Sequence, residues 1–177
     1  MEWLHEPADW EVEGDTITVR AEPGTDIWRE PGEGGIRDNG HCYLQTVRGD
    51  FTAEVKVRGQ YANLYDQAGL MVRLSGTCWM KCGIEFVDGI QYASAVVTRE
   101  WSDWSILELP DPDAAWFRVI RTGAVLRVLY SLDGLSYTMF RKAYITDHPS
   151  LSVGIMAASP KHAGFSAQFD GFRVIPG

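Results

Sequence analysis

Trp79-Met80-Lys81-Cys82-Gly83-Ile84-Glu85-Phe86-Val87-Asp88-Gly89-Ile90-Gln91-Tyr92-Ala93-Ser94 follows Gln67-Ala68-Gly69-Leu70-Met71-Val72-Arg73-Leu74 in this chain. Asp88-Gly89 is a two-residue hairpin signal, because both central positions of such a turn need positive φ. It pairs Val87 with Ile90, Glu85 with Tyr92, Gly83 with Ser94 and Lys81 with Val96. A turn centred on Ser75-Gly76 pairs Arg73 with Trp79, Met71 with Lys81, Gly69 with Gly83 and Gln67 with Glu85. That second turn leaves its register open by one residue. Side chains alternate along a strand, so two faces follow. One carries Ala68, Leu70, Val72, Leu74, Met80, Cys82, Ile84 and Phe86 and reads as a core face. The other carries Gln67, Met71, Arg73, Trp79, Lys81, Glu85, Tyr92, Ser94 and Thr98.

The same period of two extends outward. Thr16-Ile17-Thr18-Val19-Arg20, Phe51 to Val57, Val125 to Tyr130 and Phe165 to Phe169 are strand-like. Turn signals separate them at Gly14-Asp15, Gly49-Asp50, Thr122-Gly123 and Asp133-Gly134. No dozen residues keep a period of 3.6; Asp111–Ala115 is one helical turn at most. Short strands with tight turns describe an antiparallel sandwich or barrel. The 177 residues fit one domain, 1–177. Acids outnumber bases 24 to 16, for a net charge of −8, which argues against nucleic acid and an anionic membrane surface as partners. No apolar run is long enough to span a bilayer, and the acidic N-terminus broken by Pro7 is no secretory signal. The odd set Cys42, Cys78 and Cys82 reads as reduced thiols, and the expected location is the cytoplasm.

The second face is the candidate site. Gly69 and Gly83 lie side by side at its centre, which costs stability and leaves a dent in the sheet. Polar groups of both signs and two rings surround the dent. This describes a binding groove, or else an ordinary exposed or loop-covered face. The seven tryptophans are the compositional excess. Trp28, Trp79 and Trp104, with Tyr92, are candidates for a stacking surface; Trp3, Trp10 and Trp116 fit a core or strand ends, and Trp101 fits a core.

Asp38-Asn39-Gly40-His41, Tyr65-Asp66-Gln67-Ala68-Gly69-Leu70-Met71-Val72-Arg73, Trp79 to Glu85, Val97-Thr98 and Ser102-Asp103-Trp104-Ser105 resemble the DUF1349 family, which includes fungal "regulation of enolase" proteins. Tyr130 to Gly134 and Ala158-Ser159-Pro160 extend the resemblance over nearly the whole chain. It implies an all-β fold, a concanavalin A-like jelly-roll β-sandwich of two antiparallel sheets, one concave. The concave sheet's central strands would carry the ligand face. The same strands look like those of the accessory sandwich domain in some xylosidases.

Glu85 is the best catalytic candidate, yet the E-x-D-x-x-E signature of laminarinase-like hydrolases on this fold is absent, since Phe86 and Val87 follow it. Glycoside hydrolysis usually needs a second carboxylate about 5–10 Å away, and Asp38 and Asp103 in neighbouring loops are the available ones. The alternative for Glu85 is a salt bridge to Lys81 or Arg73. Cys78 and Cys82 are about 13 Å apart on a strand, too far for one zinc. His5, His41, His148 and His162 lack ligand spacing, so no metal and no cofactor is expected. Gly32-Glu33-Gly34-Gly35 lacks the lysine of a phosphate loop. Ser102 to Ser105 reads as a turn presenting Trp104, with Asp103 capping backbone amides. The expected function is binding of a carbohydrate or another small molecule on the concave face. Gln67, Arg73, Trp79, Lys81, Glu85 and Tyr92 form the floor; Trp28, Asn39, His41, Asp103 and Trp104 form the rim. Arg73 and Lys81 hint at an acidic or phosphorylated sugar. A protein-interaction module of carbohydrate metabolism, or a hydrolase or lyase, is the alternative.

Overall fold

The computed structural model describes residues 1–161 and 163–177; His162 lies outside the described residues. The strands, in chain order, are β1 (Glu2–Leu4), β2 (Trp10–Glu13), β3 (Thr16–Ala21), β4 (Ile27–Arg29), β5 (Ile36–Asp38), β6 (His41–Arg48), β7 (Phe51–Gly59) and β8 (Gln67–Ser75). They continue as β9 (Cys78–Val87), β10 (Ile90–Arg99), β11 (Trp101–Glu108), β12 (Ala115–Thr122), β13 (Val125–Ser131), β14 (Thr138–Tyr144), β15 (Ser150–Ala158) and β16 (Phe165–Pro176). Among the described residues the only helical piece is a 3-10 turn, Gly32–Gly34, and Asp111–Ala115 contains no helical turn.

One seven-stranded sheet runs β1-β6-β15-β8-β9-β10-β11, and a second runs β14-β13-β12-β7-β16-β3-β2. Every strand pair within them is antiparallel. The hairpin β4–β5 stands apart as a two-stranded unit. This is the expected sandwich.

The central register is the one that Asp88-Gly89 dictates. Asp88 and Gly89 take φ of 51° and 86°, and Val87 faces Ile90. Across β8 and β9, Gly69 faces Gly83, Met71 faces Lys81 and Arg73 faces Trp79. A bulge between Arg73 and Ser75 then leaves Leu74 unpaired and 39% exposed, where strict alternation would bury it.

Alternation sorts the apolar residues into two cores. The larger lies between the sheets and includes Leu70, Val72, Met80, Cys82 and Ile84 from the first sheet and Phe51, Val55, Phe117, Val119 and Phe169 from the second. The smaller lies on the outer face of the first sheet, where Ile27 covers Cys42, Met71, Trp79, Val96, Met156 and Ala158. That outer face therefore meets solvent only where the hairpin β4–β5 does not reach.

Two sequence readings change. Ser102 to Ser105 is not a turn: it lies inside β11, paired residue for residue with β10. The reversal is at Glu100, whose φ is 68°. Trp101 is 47% exposed rather than core. Trp116 lies next to the core residue Phe117 in β12 and meets Lys56, whose ammonium is 5.0 Å from its ring centre. Trp3 and Trp10 do pack against the large core, with Trp3 stacked on Tyr43 at 4.8 Å.

Candidate functional site

A cleft of about 650 Å³ opens on the outer face of the first sheet, beside the hairpin β4–β5. Its floor holds Gln67, Lys81 and Glu85; Trp28, Tyr65 and Trp104 stand around it. Asp26, Glu30, Arg37, Ser102 and Lys161 also line it. Beside it lies a space of about 10 Å³ bordered by Gln67, Lys81, Gly83, Glu85 and Ser94, no larger than one water.

Glu85 is 6% exposed. Its Oε2 accepts from Ser94 Oγ at 2.6 Å and from Trp104 Nε1 at 2.8 Å. The three residues meet because β9, β10 and β11 are consecutive neighbours, and Glu85, Ser94 and Trp104 alternate onto the same face. The indole of Trp104 is thus fixed by its N–H while the residue as a whole stays 38% exposed. Among the described residues, no ion pair joins Glu85 to Lys81 or Arg73, which corrects the salt-bridge alternative.

Lys81 has a different partner. Its Nζ donates to the Ile27 carbonyl at 2.6 Å and lies 3.8 Å from Asp26 Oδ1. The same Asp26 oxygen accepts from the Ile27 amide at 2.8 Å and from Gln67 Nε2 at 3.4 Å. One acid from the β3–β4 loop therefore gathers the lysine and the glutamine beside Glu85.

Tyr65 carries no sequence signal beyond its place in a family-like run. It holds φ of 70°, uncommon for a bulky residue. Asp66, fully buried, fixes the loop behind it: its carboxylate accepts from the amides of Ala62 and Asn63 and from Ser159 Oγ at 2.6 Å. The Tyr65 ring then meets Trp104 edge-on at 6.2 Å, with the Lys161 ammonium 5.9 Å from its centre.

Six expected site residues are placed elsewhere or otherwise engaged. Arg73 gives both terminal nitrogens to Asp38, at 2.9 and 2.7 Å, and so ties β5 to the sheet. Asp38 is accordingly a strand residue rather than a loop acid over the groove. Trp79 is fully buried under the hairpin, with its N–H on the Gly76 carbonyl, so it offers no stacking face. His41 is 2% exposed: the Glu22 amide donates to its Nε2, and Nδ1 bonds the His5 carbonyl. Asn39 braces the β3–β4 loop through the Asp26 amide and the Gly24 carbonyl. Asp103 points to the inner side of the edge strand and pairs with Arg141 of the opposite sheet at 2.8 Å. Tyr92 shares a face with Glu85 but stands outside the cleft lining. Sequence alone names Gln67, Lys81, Glu85, Trp28 and Trp104 in the cleft and misses Asp26, Tyr65, Arg37 and Lys161, which arrive on loops and on the hairpin.

Cys42, Cys78 and Cys82 are all unpaired. Burial pushes the Cys42 thiol up to about 12, partly opposed by the nearby Arg73 charge. Burial also raises Cys82. Such thiols are poor nucleophiles and ligands.

Two face-to-face antiparallel sheets with a cleft on one outer face make a jelly-roll β-sandwich. Residues 3–176 match the family described as "Protein of unknown function (DUF1349)", and the chain belongs to it. It is 37% identical over 168 residues to "Regulation of enolase protein 1" of Saccharomyces cerevisiae, spanning 94% of this chain and 85% of that one. A crystal structure of a functionally unknown protein from Saccharomyces cerevisiae superposes with a TM-score of 0.95 at 35% identity, covering 99% of this chain and 96% of that one. The carbohydrate binding module CBM66 from Bacillus subtilis gives 0.64 at 11% identity, over 97% and 94%. The GH43 protein BlXynB from Bacillus licheniformis gives 0.76 at 16% identity, over 97% of this chain and 36% of that one. The last two likenesses are of fold alone.

Proposed function

We propose that this protein binds a small carbohydrate or sugar derivative in the cleft above Glu85, and that it works in the cytoplasm. One observation carries the binding: a carboxylate and an indole held in fixed relation, Glu85 Oε2 to Trp104 Nε1, inside an aromatic-walled cleft. The C–H face of a sugar ring packs on an indole, and its hydroxyls take charge-assisted hydrogen bonds. The volume falls in the range of small-ligand sites. The sandwich architecture shared with a carbohydrate binding module supports the reading, and three unpaired cysteines support a reducing compartment.

A thermal-shift screen of the full chain against neutral and charged sugars tests it. A ligand at 100 times its Kd stabilises the native state by about 2.7 kcal/mol. For a chain of this size that raises Tm by about 5–10 °C. Trp104→Ala is expected to abolish the shift while preserving the folded far-ultraviolet spectrum. Absence of any sugar that shifts Tm rejects the proposal.

A second reading, a protein-interaction module, is favoured by the edge strand β11. It exposes Trp101, Ile106 and Leu107 at 47%, 39% and 40%, and one relative is named as a regulator. Its signature is a complex broken by Trp101→Glu with Leu107→Lys but indifferent to Trp104→Ala. A hydrolase or lyase would use the further carboxylates of the cleft, but Asp26 is committed to Lys81 and Gln67, and Glu30 accepts from Trp28 Nε1 at 3.3 Å.

A further inference from the structure

We infer that the cleft selects uncharged sugars, with Glu85 Oε1 as the acceptor for ligand hydroxyls, and discriminates against sugar acids and sugar phosphates. The inference rests on the carbohydrate reading above. It reverses the charge preference that Arg73 and Lys81 suggest in the sequence.

Lys81 in the floor and Arg73, which lies outside the cleft lining, are already engaged. Arg73 is spent on Asp38 in a two-pronged pair, with only 12% of its side chain exposed. Lys81 is spent on the Ile27 carbonyl and stands beside Asp26, with 6% of its side chain exposed. Neither presents an unopposed positive charge to an anion.

Glu85 is the opposite case. Both of its donors, Ser94 and Trp104, bond Oε2. Among the described residues Oε1 takes no hydrogen bond and no cation lies within ion-pair distance. Glu85 therefore brings an uncompensated negative charge and a spare acceptor into the cleft. A ligand carboxylate or phosphate would meet that charge, with Asp26 close by, in a partly desolvated site where repulsion is poorly screened. A hydroxyl is suited to the place, because it donates to Oε1 and can accept from a remaining N–H of Lys81.

The remaining cations of the lining are Arg37 and Lys161, both exposed. Lys161 lies near the Tyr65 ring, and Glu30 lines the same cleft. In water these charges are screened and steer a ligand more than they anchor it.

The test is calorimetric titration of the full chain with matched probes. Glucose, galactose, xylose, fructose and their neutral disaccharides form one set; glucuronate, galacturonate and glucose 6-phosphate form the other. At least one neutral sugar is expected to bind, and its charged counterpart at least tenfold more weakly. Glu85→Gln keeps the shape and removes the charge. It is expected to weaken the neutral sugar about tenfold and to narrow the neutral-to-acid ratio at least threefold. A merely structural role for Glu85 would weaken both probes alike, and such a result overturns the inference. A charged probe that binds as tightly as its neutral parent also overturns it while leaving the carbohydrate reading intact. If neither set binds, the carbohydrate reading fails and this inference with it.

Discussion

Gly69 and Gly83 show how two residues can shape a floor and hold a sheet together. By strand propensity alone, glycine is the poorer choice by about 0.5–1 kcal/mol relative to alanine. Sterics decide otherwise. A Cβ on Gly83 would meet the Ala68 carbonyl and lie 2.7 Å from Gly69 Cα; one on Gly69 would lie 2.5 Å from Gly83 Cα. The obstacles are backbone atoms of the neighbouring strand, so no side-chain rotation relieves them. Gly83→Ala is therefore expected to cost at least about 3 kcal/mol in urea unfolding, among the larger single-residue effects. A stabilised Gly83→Ala would show that propensity governs and that the close approach of β8 and β9 is not enforced. The facing pair was legible in the sequence because it needs only the register from Asp88-Gly89. What covers the face was not: Arg73 finds Asp38 35 residues away, and Lys81 finds Ile27 54 residues away. No local periodicity encodes such pairs.

The elements divide the same way between what is local and what is not. Hairpins whose turns demand positive φ declare themselves, as at Asp88-Gly89 and Gly123. β11 does not, because Ser102-Asp103-Trp104-Ser105 has turn composition and becomes a strand only through eight pairings with β10. β4 and β5 are three residues each, too short for alternation to reveal, yet they cover one core and wall the cleft. The β13–β14 connection is a local case with a chemical handle. Asp133 Oδ1 accepts from the amides of Ser136 at 2.7 Å and Leu135 at 2.8 Å, and from Ser131 Oγ at 2.8 Å. The Ser136 amide first, then Leu135 and the Ser131 hydroxyl, hold this exposed carboxyl down to about 2, against an ordinary 3.8. A carboxyl lowered by folding stabilises the native state above its unfolded value, and that contribution is lost as pH falls through the folded one. The window is therefore about pH 4 down to 2. Comparing urea midpoints there, the wild type is expected to lose stability relative to Asp133→Asn as the acid is titrated. Parallel pH profiles for the two proteins would show that the turn does not depend on the charge.

At the scale of the whole molecule, the two cores lie on opposite sides of one sheet. The inter-sheet core holds Cys82, and the core under the hairpin holds Cys42. Local opening is cheapest where few apolar contacts are lost, and the hairpin covers much the smaller of the two. Lifting it should expose Cys42 while leaving Cys82 closed. Burial raises both thiols, so the native state contains little thiolate and labelling must pass through opening. Site-resolved alkylation should therefore modify Cys42 before Cys82. Arg73→Ala cuts the ion pair that ties β5 down, leaving the Asp38 carboxylate without that partner. It is expected to speed Cys42 labelling at least tenfold, and Cys82 by no more than the accompanying loss of global stability. The sign is informative, because the Arg73 charge lowers the Cys42 pKa in the closed state. Removing that charge makes the buried thiol less reactive, so faster labelling can come only from a more frequently opened hairpin. Equal rates at the two cysteines, in wild type and variant alike, would show instead that both cores open as a single cooperative unit.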